Sequence, residues 1–184
     1  MSTALHLTLA EYDSMVRVGA FDAIPRKIEL IRGVITEMNP AGPIHDDLIT
    51  YLTNWSVRNA NPNQTLVTSQ TGLDLPQQAS RPEPDLMWLR SARYAASHPQ
   101  AADVQLAIEV SLSSLANDLE VKGQLYAEAQ IREYWIVDAQ SRCIHVHLAP
   151  EGGRYQTRNV VTGDDTLSPQ CQPDATLRLT ELFV

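Results

Sequence analysis

The sequence predicts an α/β fold of the α+β kind, with a mixed central sheet flanked by helices. Three observations carry this. Val104–Ser111 and Tyr134–Val137 are strand-like apolar runs, and the amphipathic stretch Leu115–Ala129 lies between them. Strand, helix and strand in that order form a compact βαβ unit, which makes the two strands parallel. Further strand-like runs stand before and after this unit, and a helical pattern from Ile44 supplies a second flanking layer. With 184 residues, of which 43% are hydrophobic and 20% charged, one domain spanning 1–184 with a sizeable core is expected.

Thr8-Leu9-Ala10-Glu11 fits a capping box, with Leu7 and Tyr12 placed as a hydrophobic staple and Gly19 as the stop, so a short helix runs from Leu9 to Val18. Lys27–Ile31 and Val34–Met38 flank Arg32-Gly33 and read as a β-hairpin with a tight glycine turn. Glu29 and Glu37 alternate with apolar neighbours there, which places them on the hairpin's solvent face. Asn39-Pro40-Ala41-Gly42-Pro43 breaks the pattern. Ile44, Leu48, Tyr51, Leu52 and Trp55 then recur at helical spacing up to Asn61-Pro62, with His45 in the first turn. Leu66–Gln70 and Gly72–Leu75 read as a strand bent or bulged at Gly72, and Pro84–Leu89 as another.

Val104–Ser111 is the strongest strand signal. Val104, Leu106, Ile108 and Val110 point one way, and Gln105, Ala107, Glu109 and Ser111 the other. Ser113 or Ser114 caps the following helix, on which Leu115, Leu119, Lys122, Tyr126 and Ala129 form a sheet-facing stripe. Ile144–Leu148 reads as a partly exposed strand. Glu151-Gly152-Gly153-Arg154 is a turn into Tyr155–Val161, and Leu182-Phe183 closes the core edge.

Net charge is −8, which argues against a protein held on nucleic acid by a broad basic surface. It leaves room for an enzyme that meets phosphates through a bound cation. No apolar run is long enough to cross a membrane, and the N-terminus lacks the charge pattern of a signal peptide. Cys143 and Cys171 make neither a disulfide framework nor a metal-ligand pattern, and reduced thiols in a cytoplasmic protein are expected.

Asp85 and Glu109 sit inside segments that otherwise read as buried strands, and Lys122 sits on the apolar stripe of the helix. A carboxylate in a core strand is costly unless it is paired or binds a cation. A surface ion pair of Lys122 with Asp118 at i, i+4 is the plainer reading of the lysine, but it does not explain a place on the apolar stripe.

Pro84-Asp85, Glu109-Val110-Ser111, Asp118 with Lys122, Tyr126 and Glu133–Asp138 resemble a bacterial family of restriction-endonuclease-like proteins within the PD-(D/E)xK phosphodiesterase superfamily. The resemblance covers nearly the whole chain, including the Glu29–Gly33 hairpin, the Met38–His45 turn and Leu167-Ser168-Pro169. It implies a restriction-endonuclease-like fold, an endonuclease acting on DNA, Mg²⁺ (or Mn²⁺) as cofactor and a homodimer. The superfamily's lysine usually stands two residues after the glutamate. Ser111 occupies that place here, and Lys122 on the following helix takes over the role.

Asp85 and Glu109 then present oxygen ligands to the cation, which supplies an activated water and neutralises phosphate charge. Lys122 orients that water or stabilises developing charge. Glu29, His45, Ser111 and Asp118 form a second tier, with Asp118 orienting Lys122. Two alternatives stay open: a catalytically inactive nuclease fold used as an interaction module, and a different hydrolase with paired carboxylates, such as a glycosidase.

Overall fold

The computed structural model describes residues 4–38 and 42–183. The Asn39–Ala41 break therefore lies outside the described residues. Helix α1 (Leu9–Arg17) begins with the expected capping box: Thr8 Oγ1 accepts from the Glu11 amide, and Glu11 Oε2 accepts from the Thr8 amide at 2.8 Å. It ends in a Schellman motif, in which Ala20 N–H donates to Met15 O and Gly19, at φ +73°, donates to Val16 O. Strands β1 (Ile28–Ile31) and β2 (Val34–Glu37) form the hairpin. Arg32 and Gly33 both have positive φ, the signature of a type I′ turn. A Cβ on Gly33 would stand 2.8 Å from the Leu7 carbonyl oxygen, so the turn also needs glycine for close approach. Helix α2 (Pro43–Asn59) buries Leu48, Leu52 and Trp55, while Ile44, expected on that stripe, is exposed.

A six-stranded mixed sheet follows: β3 (Thr65–Ser69), β4 (Leu86–Arg90), β5 (Val104–Ser111), β6 (Glu133–Asp138), β7 (Cys143–Glu151) and β8 (Arg154–Thr162), side by side in that order. β5 and β6 are parallel, as the crossover between them requires, and the other neighbours are antiparallel. β3 stops at Ser69 because Gln70 takes a left-handed φ of 47°, so the break falls two residues before Gly72. β7 is longer and more buried than its sequence suggested, because β8 covers its outer edge.

One face of the sheet, with Leu86, Trp88, Leu106, Ile108, Val110, Trp135 and Val137, packs under α2. The C-terminal β9 (Thr166–Leu167), β10 (Leu177–Arg178) and α5 (Leu179–Leu182) close the same side with Leu177, Leu179 and Leu182. Each such side chain, fully buried, contributes about 1.5–3 kcal/mol. The opposite face, with Met87, Leu89, Ala107, Tyr134 and Ile136, packs under the crossover helix. Val104 belongs to this second face rather than to that of Leu106. The β4–β5 register shifts between Trp88 and Leu89, and the irregularity flips the alternation.

The crossover helix is not a regular α-helix. It runs as α3 (Leu115–Asn117), a π-helical turn (Asp118–Lys122) and α4 (Gly123–Glu128). A π-turn inserts a residue and rotates the stretch before it relative to the stretch after it. Leu115, Leu119 and Ala129 are consequently only partly buried, whereas Asp118 and Lys122 are both buried along with Tyr126. The Tyr134 hydroxyl donates to the Asp118 carbonyl at 3.1 Å and so supports the altered backbone.

Glu133, at the start of β6, ties the C-terminal segment to the sheet: its carboxylate accepts from the Trp135 indole at 2.8 Å and from the Gln170 amide at 2.7 Å. Burial pushes this carboxyl up to about 7, against the pull of those two donors. Folded protein therefore binds this proton more tightly than unfolded chain between the ordinary value of 4.5 and about 7, and the group's contribution to stability falls as pH rises through that window. We expect urea denaturation at pH 5 and pH 8 to show the wild type losing roughly 3 kcal/mol more across that interval than Glu133→Gln, whatever the variant's absolute stability. Equal losses in both proteins would rule this out.

Candidate active site

β4 and β5 bring the first two acidic residues together. Continuing the register Leu86↔Ile108 by one position sets Asp85, just before β4, opposite Glu109 in β5. Both are buried. Asp85 Oδ2 accepts the Val110 amide at 2.8 Å, which locks the carboxylate across the two strands. His45, in the first turn of α2, places Nε2 3.4 Å from the same oxygen, and that contact raises the imidazole's proton affinity.

Lys122 comes from the π-turn and donates from Nζ to Glu109 Oε1 at 2.9 Å. The Tyr126 hydroxyl, four residues further on, donates to the same oxygen at 2.8 Å. Glu109 Oε1 is thus held from two sides, while among the described residues Oε2 has no hydrogen-bond partner, and Glu109 lines the cavity. The hairpin delivers Glu29, whose Oε2 lies 3.8 Å from Lys122 Nζ and accepts from the Glu83 amide at 3.3 Å. Its expected place on the solvent face is corrected: Glu29 is 7% exposed, because Leu30 and Arg81 pair and press that edge of the hairpin onto the domain. Glu37 does remain exposed, paired with Arg26.

Ser111 shares the face of Glu109 and donates to Asp118 Oδ2 at 2.6 Å; Ser114 donates to the same oxygen at 2.6 Å. Asp118 therefore does not orient Lys122 by direct contact. It fastens the end of β5 to the π-turn and acts on Lys122 through its charge. Glu29, His45, Asp85, Glu109, Asp118 and Lys122 line one cavity of about 810 Å³, and Ser111 is joined to it through Asp118. Tyr126 is the partner that motif spacing missed. The available signal was its place one turn beyond Lys122, since a buried phenol needs an acceptor.

The cluster is short of positive charge. Burial, partly offset by Lys122, pushes the carboxyls of Glu29 and Glu109 above the usual carboxylate range, Glu109 the further, being the more deeply buried, with repulsion from Asp85, Asp118 and Glu29 adding to it. Burial alone would lower the Lys122 ammonium, but Glu109 and Glu29 outweigh it and hold the proton on. Among the described residues, more carboxylates than lysines or arginines are buried here.

The fold is of the restriction-endonuclease-like class. A sequence model of the Uma2 family, described as "Putative restriction endonuclease", matches residues 10–180, and the chain belongs to that family. Its fold is shared by a crystal structure titled as a putative nuclease belonging to DUF820 from Anabaena variabilis. The TM-score is 0.72 at 13% identity, and the alignment covers 96% of this chain and 97% of that one. No curated protein matches significantly. No helix among the described residues is long and apolar enough to cross a membrane.

Proposed function

We propose that the chain, acting as one domain over residues 1–184, is a metal-dependent endonuclease that hydrolyses phosphodiester bonds of DNA, in the cytoplasm and as a homodimer. The observation that carries this reading is the unbalanced charge at the cavity floor. Glu29, Asp85, Glu109 and Asp118 are buried there, and Lys122 is the one buried lysine or arginine among the described residues. Such a set is costly alone and is relieved by a divalent cation.

Asp85 and Glu109 fit a hard cation. Among the described residues Glu109 Oε2 has no hydrogen-bond partner while Oε1 is held by Lys122 and Tyr126, and Asp85 is braced by the Val110 amide. Magnesium or manganese bound there supplies Lewis acidity and offsets phosphate charge. The chain's own groups do the rest. Lys122, kept protonated, donates to an incoming water or to a phosphate oxygen. Tyr126 and Lys122 fix the orientation of Glu109. Ser111, Ser114 and Asp118 fix the turn that carries Lys122. His45, whose proton affinity the contact with Asp85 raises, lines the cavity wall.

The test is a panel of single- and double-stranded DNA and RNA, each with Mg²⁺, Mn²⁺ or EDTA, with circular DNA included to separate internal from terminal cutting. We expect nicking or linearisation of circular DNA with Mg²⁺ or Mn²⁺ and none with EDTA. Cleavage that persists in EDTA overturns metal dependence. No cleavage of any substrate favours the inactive interaction module.

A further inference from the structure

We propose a second cation site, formed by Asp138, Cys143 and His145 at the β6–β7 turn, that binds one borderline-soft divalent ion of the zinc type. The hairpin register builds it. Asp138 pairs with Cys143 and Ile136 with His145, so the three side chains share one face of two adjacent strands. One ligand atom from each lies within 4.8 Å of the others. His145 Nε2 is 3.8 Å from Cys143 Sγ and 3.9 Å from Asp138 Oδ2. The second distance is too long for a hydrogen bond. An ion bonded at about 2.0–2.3 Å to nitrogen, oxygen and sulfur in tetrahedral geometry spaces its ligands roughly 3.4–3.6 Å apart. Closure by about 0.3–0.5 Å around His145, and by at most about 1.3 Å between Asp138 and Cys143, whose ligand atoms lie within 4.8 Å, completes three bonds and leaves a fourth position open.

The site is held ready from outside. Asp138 Oδ1 accepts the amides of Gln140 and Ser141, both at 3.0 Å, which fixes the carboxylate and leaves Oδ2 for the ion. Asp138 and Cys143 are buried, whereas the His145 side chain is 21% exposed and marks the side of entry. Thiol, imidazole and carboxylate together select zinc-like ions, while the oxygen set of Asp85 and Glu109 suits magnesium, so the two sites differ in chemistry as well as place. On binding, the Cys143 thiol gives its proton to solvent and its sulfur lone pair to the ion, with no change of oxidation state. Ser111 pairs with Asp138 in the β5–β6 register, so the ion sits one strand from the serine that holds Asp118.

The test uses the full chain carrying Cys171→Ser, which removes the other free thiol, under reducing conditions with Co²⁺ as the probe. We expect a thiolate-to-cobalt charge-transfer band in the near ultraviolet that saturates at one equivalent and is displaced by Zn²⁺. Adding Cys143→Ser abolishes the band. Adding His145→Gln, at a partly exposed position that tolerates change, weakens Co²⁺ affinity by at least about 10-fold. Adding Glu109→Gln leaves the band unchanged, which separates this site from the candidate active site. Absence of the band in the Cys171→Ser protein, its persistence after Cys143→Ser, or its loss with Glu109→Gln would each overturn the proposal.

Discussion

We expect Lys122→Met to lower the proposed DNA cleavage by at least about 10²-fold while leaving Mn²⁺ binding intact or tighter. The amine reaches Glu109 Oε1 at 2.9 Å and stands 3.8 Å from Glu29, and among the described residues it is the one buried lysine or arginine beside the carboxylates. Arg26 and Lys27 also line the cavity, but from its exposed rim, where Arg26 pairs with Glu37 and Lys27 donates to Gln70. Methionine keeps the aliphatic stem and the packing of the π-turn. Removing a positive charge strengthens a cation's attraction to the ionised carboxylates, so calorimetric Mn²⁺ binding, measured at a pH that ionises Glu109, serves as the check that the site still forms.

Stability falls as well. Breaking a buried pair costs about 3–5 kcal/mol if the partner stays ionised. Glu109, already displaced upward by burial, takes a proton instead and limits the loss. Its folded proton affinity then rises further above the unfolded value, so the variant loses stability as pH rises over a wider range than the wild type. Ser111 lies on the same strand face as Glu109, and Ser111→Lys in the Lys122→Met background should return part of the activity. A Lys122→Met protein that cleaves at the wild-type rate ends the assignment.

Asp85→Asn and Glu109→Gln should each abolish Mg²⁺ and Mn²⁺ binding and with it cleavage, and both should leave the fold largely intact. Amides are the informative replacements. Asn at 85 still offers an oxygen to the Val110 amide, which otherwise becomes an orphaned buried donor costing about 1–3 kcal/mol. Gln at 109 still offers an oxygen to Lys122 and Tyr126. What each removes is a negative charge from a cluster that holds too many, so thermal stability without metal should hold or rise. Titration calorimetry with Mn²⁺ in a Cys143→Ser background confines the measurement to these residues. Unchanged affinity in both variants would eliminate the proposed metal site.

Periodicity was enough for most of the fold. The capping box at Thr8, the Arg32-Gly33 turn, the central β5 strand and the parallel partner beyond its helix each follow from local spacing, and local spacing is what turns, caps and pleats obey. Where local spacing misled, a long-range contact had intervened. The alternation of β5 breaks at Val104 because its pairing with β4 shifts register. Glu29 looks like a surface residue in its own hairpin and is buried because the Arg81 segment and Lys122 close over it.

The site divides along the same line. Buried acids in apolar strands and a lysine on an apolar stripe can be read from sequence alone, because each violates the burial preference of its own element. By itself the sequence determined the element order, the family pattern and the chemical character of Asp85, Glu109 and Lys122. Only the tertiary structure decided that a π-turn rotates Asp118 inward toward Ser111 and Ser114, that Tyr126 shares Glu109 Oε1 with Lys122, and that Cys143 and His145 meet Asp138 across a hairpin. The physical reason is that these depend on the winding of one helix turn and on strand register, and both are set by packing energies summed over many distant side chains rather than by the residues they bring together.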